Sequence, residues 1–201
     1  MTVRTLMIDV DGVVIRHPQG LRWDHTIQAD LGVDPVKLQR AFFAVHWPDV
    51  VNGRADLHAR LALVLPDLAP HLTPDVLTAY WFTKDAHLNQ GFLDQLDGLD
   101  GQYALHLATV QEHLRADHLW NRLGLRERFA DIHYAADYGC GKPDPAFFEA
   151  VARRTRHAPH ELLLIDDSPR NVEAALACGW RAGLWDDTQT VADVIAEALG
   201  R

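Results

Sequence analysis

The chain has 201 residues, 48% hydrophobic and 23% charged, and a formal net charge of -9. That composition supports one large core or a domain with a sizeable insertion, and the acidic balance excludes a nucleic-acid partner, which would call for clustered Lys and Arg. Cys140 and Cys178 form neither a disulfide framework nor a zinc site, and no apolar run reaches membrane-spanning length, so a cytoplasmic protein with no membrane partner is expected.

The first apolar run, residues 3–8, ends in Asp9-Val10-Asp11-Gly12, which places two carboxylates where a buried strand should stay apolar. From residue 20 to residue 88 the pattern is helical. Leu38, Ala41, Phe42 and Val45 form one stripe, Leu57, Leu61 and Val64 a second, and Leu77, Tyr80 and Trp81 a third. Pro35, Pro66, Pro70 and Pro74 mark helix starts and loops. Further strands are expected at 103–109, 131–136, 161–165 and 180–185. The helical stripes among them are Ala116, Leu119, Trp120 and Leu123; Phe147, Ala150 and Val151; Val172, Ala175, Leu176 and Gly179; and Val191, Val194, Ile195 and Ala198. Strands alternating with helices predict an α/β fold, a Rossmann-like parallel sheet with crossover helices. Residues 1–19 and 89–201 make this core, and 20–88 is a helical insertion after the first strand.

Ligands bind beyond the carboxyl ends of parallel strands, which is where Asp9 and Asp11 fall. Period-two alternation sends both to one face, and Gly12 lets the backbone turn close to a ligand. An ordinary Asp-Gly turn explains the stretch equally well by itself. The fourth strand, however, runs into Asp166 and Asp167 at the same edge. Ser168 and Pro169 read as an N-cap and first helical residue, which leaves the two acids unexplained. Four converging carboxylates repel unless a cation sits among them, and an all-oxygen set suits Mg²⁺. Thr109 ends another strand as a hydroxyl donor. In GCGKPDPAFF, residues 139–148, turn and helix-start chemistry accounts for everything but Lys142, which would neutralise the acids and bind a phosphoryl oxygen. The set fits phosphoryl transfer.

With DVDGVV at 9–14, LAT at 107–109, GKPDPAFF at 141–148 and LLIDDSPRNVEAALACGW at 163–180, the chain resembles the haloacid dehalogenase superfamily of hydrolases, in the branch whose helical cap lies between the first and second motifs. The resemblance implies that Asp9 is the nucleophile, forming an aspartyl-phosphate, and that Asp11 is the general acid/base. It implies Mg²⁺ held by the Asp9 carboxylate, the Asp11 backbone carbonyl and Asp167, with Asp166 acting from outside that set. Thr109 would bind the transferring phosphoryl group and Lys142 would offset its charge.

Val110 departs from the pattern, since the family usually has Asn there; its backbone N–H toward substrate is kept and the side-chain contact is lost, with Gln111 a candidate substitute. Dehalogenation is the poorer reading, because halide leaves without a proton and needs no Mg²⁺. The resemblance therefore favours a Mg²⁺-dependent phosphatase of a small phosphorylated metabolite, a sugar phosphate among the candidates. A phosphomutase, or a binding or regulatory protein of low activity, are the alternatives. In the insertion, Arg54 in the turn Asn52-Gly53-Arg54 is a candidate substrate contact, as are Trp47, Trp81 and Lys84, although a charged loop residue is more often simply solvated. None of the twelve histidines stands in metal-ligand spacing such as H-E-x-x-H.

Overall fold

The computed structural model describes residues 2–17, 20–99 and 101–200. Five strands form one parallel sheet: β1 (Thr5–Ile8), β2 (Ala104–Thr109), β3 (Asp131–Tyr134), β4 (Leu162–Asp166) and β5 (Arg181–Leu184), in the order β3-β2-β1-β4-β5. β1 is central and buried along its whole length. Successive side chains of a strand point to opposite faces, and the two faces carry separate clusters. Leu6, Ile8, Leu107, Leu163 and Ile165 pack on one side, and Met7, Ala108, Leu162 and Leu164 on the other. Chain order reverses between β1 and β4, so a crevice opens beyond their carboxyl ends.

Between β1 and β2 lie the helices α1 (Ile27–Leu31), α2 (Pro35–Leu38), α3 (Trp47–Val51), α4 (Leu57–Leu68), α5 (Pro74–Lys84) and α6 (Gln90–Asp97). After β2 come α7 (His113–Asp117), α8 (Ala135–Tyr138), α9 (Pro145–Thr155), α10 (Pro169–Ala177) and α11 (Val191–Ala198). Residues 27–82 enclose a core of their own, including Ile27, Leu38, Phe42, Leu57, Leu61, Leu77 and Trp81. α6 belongs to the sheet cluster instead, through Phe92, Leu93 and Leu96. Two chain crossings join the helical insertion to the sheet, and they are tied together: Ile15 bridges Leu88 antiparallel, and the Arg16 N–H donates to the His87 carbonyl at 2.9 Å. The 19/20 boundary expected from sequence borders residues 18 and 19, which lie outside the described residues.

Several expectations need correction. Val45 is 62% exposed rather than on the insertion's apolar stripe. A π-helical turn at Gln39–Phe43, in which Ala44 N–H reaches the Gln39 carbonyl, adds a residue to the turn and rotates Val45 outward. Leu176 is exposed, because only Ala175 of its helix is fully sunk against the sheet. Pro66 sits inside the last turns of α4 rather than in a loop, where its missing N–H falls near the helix end. Ala135 and Ala136 open α8 instead of continuing β3. Among the described residues no helix is long and apolar enough to cross a membrane.

Candidate active site

Asp9 follows β1 directly, its N–H held by the Ile165 carbonyl at 3.0 Å. It is 8% exposed. Its Oδ1 accepts from the Val10 N–H at 2.7 Å and stands 2.9 Å from Lys142 Nζ, so Oδ2 is unshared among the described residues. Lys142 is buried and also meets Asp166 Oδ2 at 2.5 Å. Asp166, at the end of β4, is saturated: besides Lys142 it accepts from the Ser168 N–H and the Asn171 amide. Asp167 is exposed and has no ion pair among the described residues. Ser168 and Pro169 do begin α10, but the Ser168 hydroxyl makes no capping bond.

Asp9 and Asp11 are not alternate residues of one strand, as the period-two reading assumes. β1 ends at Ile8, and the chain turns through Gly12, whose φ is 85° and whose N–H donates to the Ile15 carbonyl. That turn sends Asp11 toward β2, where its Oδ2 accepts from Gln111 Nε2 at 2.7 Å. A Cβ at position 12 would collide with the Asp167 carboxylate, so glycine also allows the first and fourth motifs to meet. Thr109, fully buried at the end of β2, lies 3.4 Å from the same Gln111 amide. Gly141 serves the Lys142 loop in the same way, for a Cβ there would press on Ala135 and Val110.

One oxygen donor each from Asp9, Asp166 and Asp167 falls within 4.8 Å of the others, a spacing able to surround a metal ion. The charges do not balance from protein groups alone. Burial, then Asp166 and Asp11, push Asp9 up to about 7 against the pull of Lys142. Burial opposes the charge on Lys142, but Asp9 and Asp166 outweigh it and raise its pKa. Burial and Asp166 raise Asp167 as well. The cluster lacks positive charge, and an all-oxygen set suits a hard dication.

Above this edge is a cavity of about 340 Å³, with Asp11, Gly12, Val110 and Gln111 on the sheet side and Trp23, Phe43, Trp47 and Trp81 on the insertion side. Arg54, expected as a substrate contact, is no part of that wall; its Nη2 reaches the Gly139 carbonyl at 3.5 Å. Lys84 pairs with Asp30 at 2.9 Å, also away from the wall. Trp47 and Trp81 both line the cavity. Sequence reading missed Asp85 and Arg115. Arg115, 1% exposed on α7, grips the end of α5 through the Phe82 and Asp85 carbonyls and the Asp85 carboxylate, which also meets His17 and the Trp81 indole. Between His113 and Asp117, Arg115 reads as one more solvated polar residue and gave no signal of this partner.

A family model described as haloacid dehalogenase-like hydrolase matches residues 3–179. The chain belongs to that family. It is therefore a hydrolase. No curated protein sequence matches it. Among solved structures, a family enzyme from Bacteroides thetaiotaomicron, in complex with magnesium and inorganic phosphate, is 17% identical with a TM-score of 0.76, over 95% of this chain and 98% of that one. A predicted family hydrolase from Porphyromonas gingivalis is 18% identical with a TM-score of 0.76, over 100% of both chains. A 2-haloacid dehalogenase from Pseudomonas syringae is 20% identical with a TM-score of 0.69, over 100% of this chain and 99% of that one. At these identities the likeness concerns the fold of this hydrolase.

Proposed function

We infer that this hydrolase is a Mg²⁺-dependent phosphatase acting on small phosphate monoesters through an aspartyl-phosphate on Asp9. The observation that carries the reading is the charge arrangement: one buried lysine among the acids Asp9, Asp166 and Asp167, with Asp11 separately aimed into the cavity. A halide-displacing site has no use for a second acid at the leaving group or for a cluster of carboxylates that holds a cation. The magnesium and phosphate bound by the Bacteroides thetaiotaomicron enzyme support the same side.

In this reading Asp9 and Asp167, with the Asp11 backbone carbonyl, would hold the metal, and Asp166 acts indirectly by fixing Lys142. Mg²⁺, when bound, supplies the positive charge that lets an anionic nucleophile meet an anionic phosphate. The unshared Asp9 Oδ2 attacks phosphorus, forming one P–O bond as the bond to the leaving oxygen breaks. The Asp11 carboxyl gives its proton to that oxygen, and the resulting carboxylate then takes a proton from the water that hydrolyses the acyl-phosphate. Thr109 and the backbone N–H at Val110 hold the phosphoryl oxygens, and Lys142 offsets their charge. Residues 20–88 act as the cap that covers this chemistry. Phosphate release from an ester panel, with Mg²⁺ or with a chelator, tests the proposal. Release should require Mg²⁺ and vanish in a folded Asp9→Asn variant; turnover indifferent to both would overturn it.

A further inference from the structure

The cavity wall facing Asp11 is mostly aromatic, and its rings are locked together. Trp81 is the hub: Trp23 stacks on it at 5.0 Å and 20°, while Phe43 and Trp47 both approach it at 5.4 Å. Phe43 and Trp47 also meet each other at 5.7 Å. Ile15 and Val110 add apolar surface from the sheet side. These aromatic residues come from three separate parts of the insertion, and each is partly or fully sunk in its core. The wall is thus a rigid surface rather than a loose flap.

Most polar side chains of the wall already have partners. Gln111 donates to Asp11 at 2.7 Å. Asp85 is shared by Arg115, His17 and the Trp81 indole. Arg22 binds Asp24 and Gln39. A polyhydroxylated leaving group would trade water for surfaces that offer its hydroxyls few partners, and each unpaired group is costly. A cationic group would be drawn to an aromatic face, but that of Trp81 is stacked against Trp23, and the Asp85 charge beside it is offset by buried Arg115. A flat apolar ring loses nothing there and gains stacked aromatic contact.

We propose that the substrate is the phosphate monoester of a flat, ring-bearing apolar alcohol, bound with its ring against Trp23, Phe43, Trp47 and Trp81 and its ester oxygen toward Asp11. This rests on the phosphatase reading above and moves away from the sugar phosphates that the sequence left among the candidates. The cavity lies near the low end of the roughly 300–1,000 Å³ of small-molecule sites, so the alcohol is small.

The test compares kcat/KM for benzyl phosphate, a hexose phosphate and choline phosphate, all of which expel a poor alkoxide and differ chiefly in what meets the wall. p-Nitrophenyl phosphate, whose leaving group needs no proton, serves as the check on phosphoryl transfer itself. Benzyl phosphate should exceed the other two by at least about tenfold, as expected for apolar discrimination in a pocket. Trp47→Leu should erase most of that preference by raising KM for benzyl phosphate, and Phe43→Leu should do the same if Trp47→Leu does not fold. Equal or better turnover of hexose or choline phosphate would overturn the inference. So would hydrolysis of p-nitrophenyl phosphate without hydrolysis of benzyl phosphate, which leaves the phosphatase reading standing. Failure to hydrolyse any of the esters with Mg²⁺ present would overturn both.

Discussion

Gln111 Nε2 donates to Asp11 Oδ2 at 2.7 Å, joining two side chains 100 positions apart in the chain. Gln111 is buried, and its apolar neighbour Val110 faces the cavity. An amide one residue beyond position 110, where the family resemblance places one, thus contacts the proposed acid/base. Gln111→Leu should leave Asp11 free to rotate. Because an acid/base group is worth about 10²–10⁴-fold, turnover of ethyl phosphate should fall by at least about tenfold. p-Nitrophenyl phosphate, whose leaving group needs no proton, should lose much less. Equal losses on both esters would mean that Gln111 supports the fold and not the proton transfer.

Lys142 is the only cation in contact with both Asp9 and Asp166 among the described residues. Removing one partner of a buried ionic cluster typically costs about 3–5 kcal/mol, since the remaining charges stay desolvated. Lys142→Met should accordingly show a large drop in the urea midpoint in metal-free buffer, together with loss of turnover. Added Mg²⁺ should recover part of the stability. A midpoint equal to that of wild type without metal would show that the two carboxylates do not depend on this lysine.

His133 and His106 meet on the sheet, with His106 Nδ1 3.0 Å from His133 Nε2 and the other His133 nitrogen 2.7 Å from the Tyr138 hydroxyl. Asp131, Asp137, Arg154 and Tyr138 also face the pair, and His157 acts on His106. Burial pushes His133 down to about 4, against Asp131 and with help from His106 and Arg154. The unfolded chain, with histidine near about 6.5, binds the proton first as pH falls. Stability contributed by keeping His133 neutral is therefore full above about 6.5 and is lost as pH falls toward 4. Between neutral pH and about pH 5 the loss should be roughly 1–2 kcal/mol by urea unfolding. His133→Gln should flatten that slope; an unchanged slope would assign it to other groups.

Much of the site was legible because its residues sit at borders where local patterns change. Asp9, Thr109 and Asp166 each end an apolar run or follow it directly, and Lys142 interrupts a turn that other residues explain. A strand's period and a helix's stripe are short-range properties, so all five strands were placed to within a few residues. The parallel sheet follows from their alternation with helices.

Other features required the chain to be packed. The direction of Asp11 depends on the Gly12 turn and on Gln111, which no local spacing connects to it. Val45 left its stripe because one π turn changed the helical phase, and that phase is set by what the helix packs against. Arg54 was attractive as a charge in a loop, yet its position turned on which core segment the loop meets, and that is Gly139. His106 and His133 lie 27 positions apart and meet only because β2 pairs with β3. By itself the sequence determined the strands, the helical insertion and the acids with their lysine, since each is written within a few neighbouring residues. Only the tertiary structure decided that Trp23, Phe43, Trp47 and Trp81 form one wall above Asp11, because long-range packing chooses which elements meet.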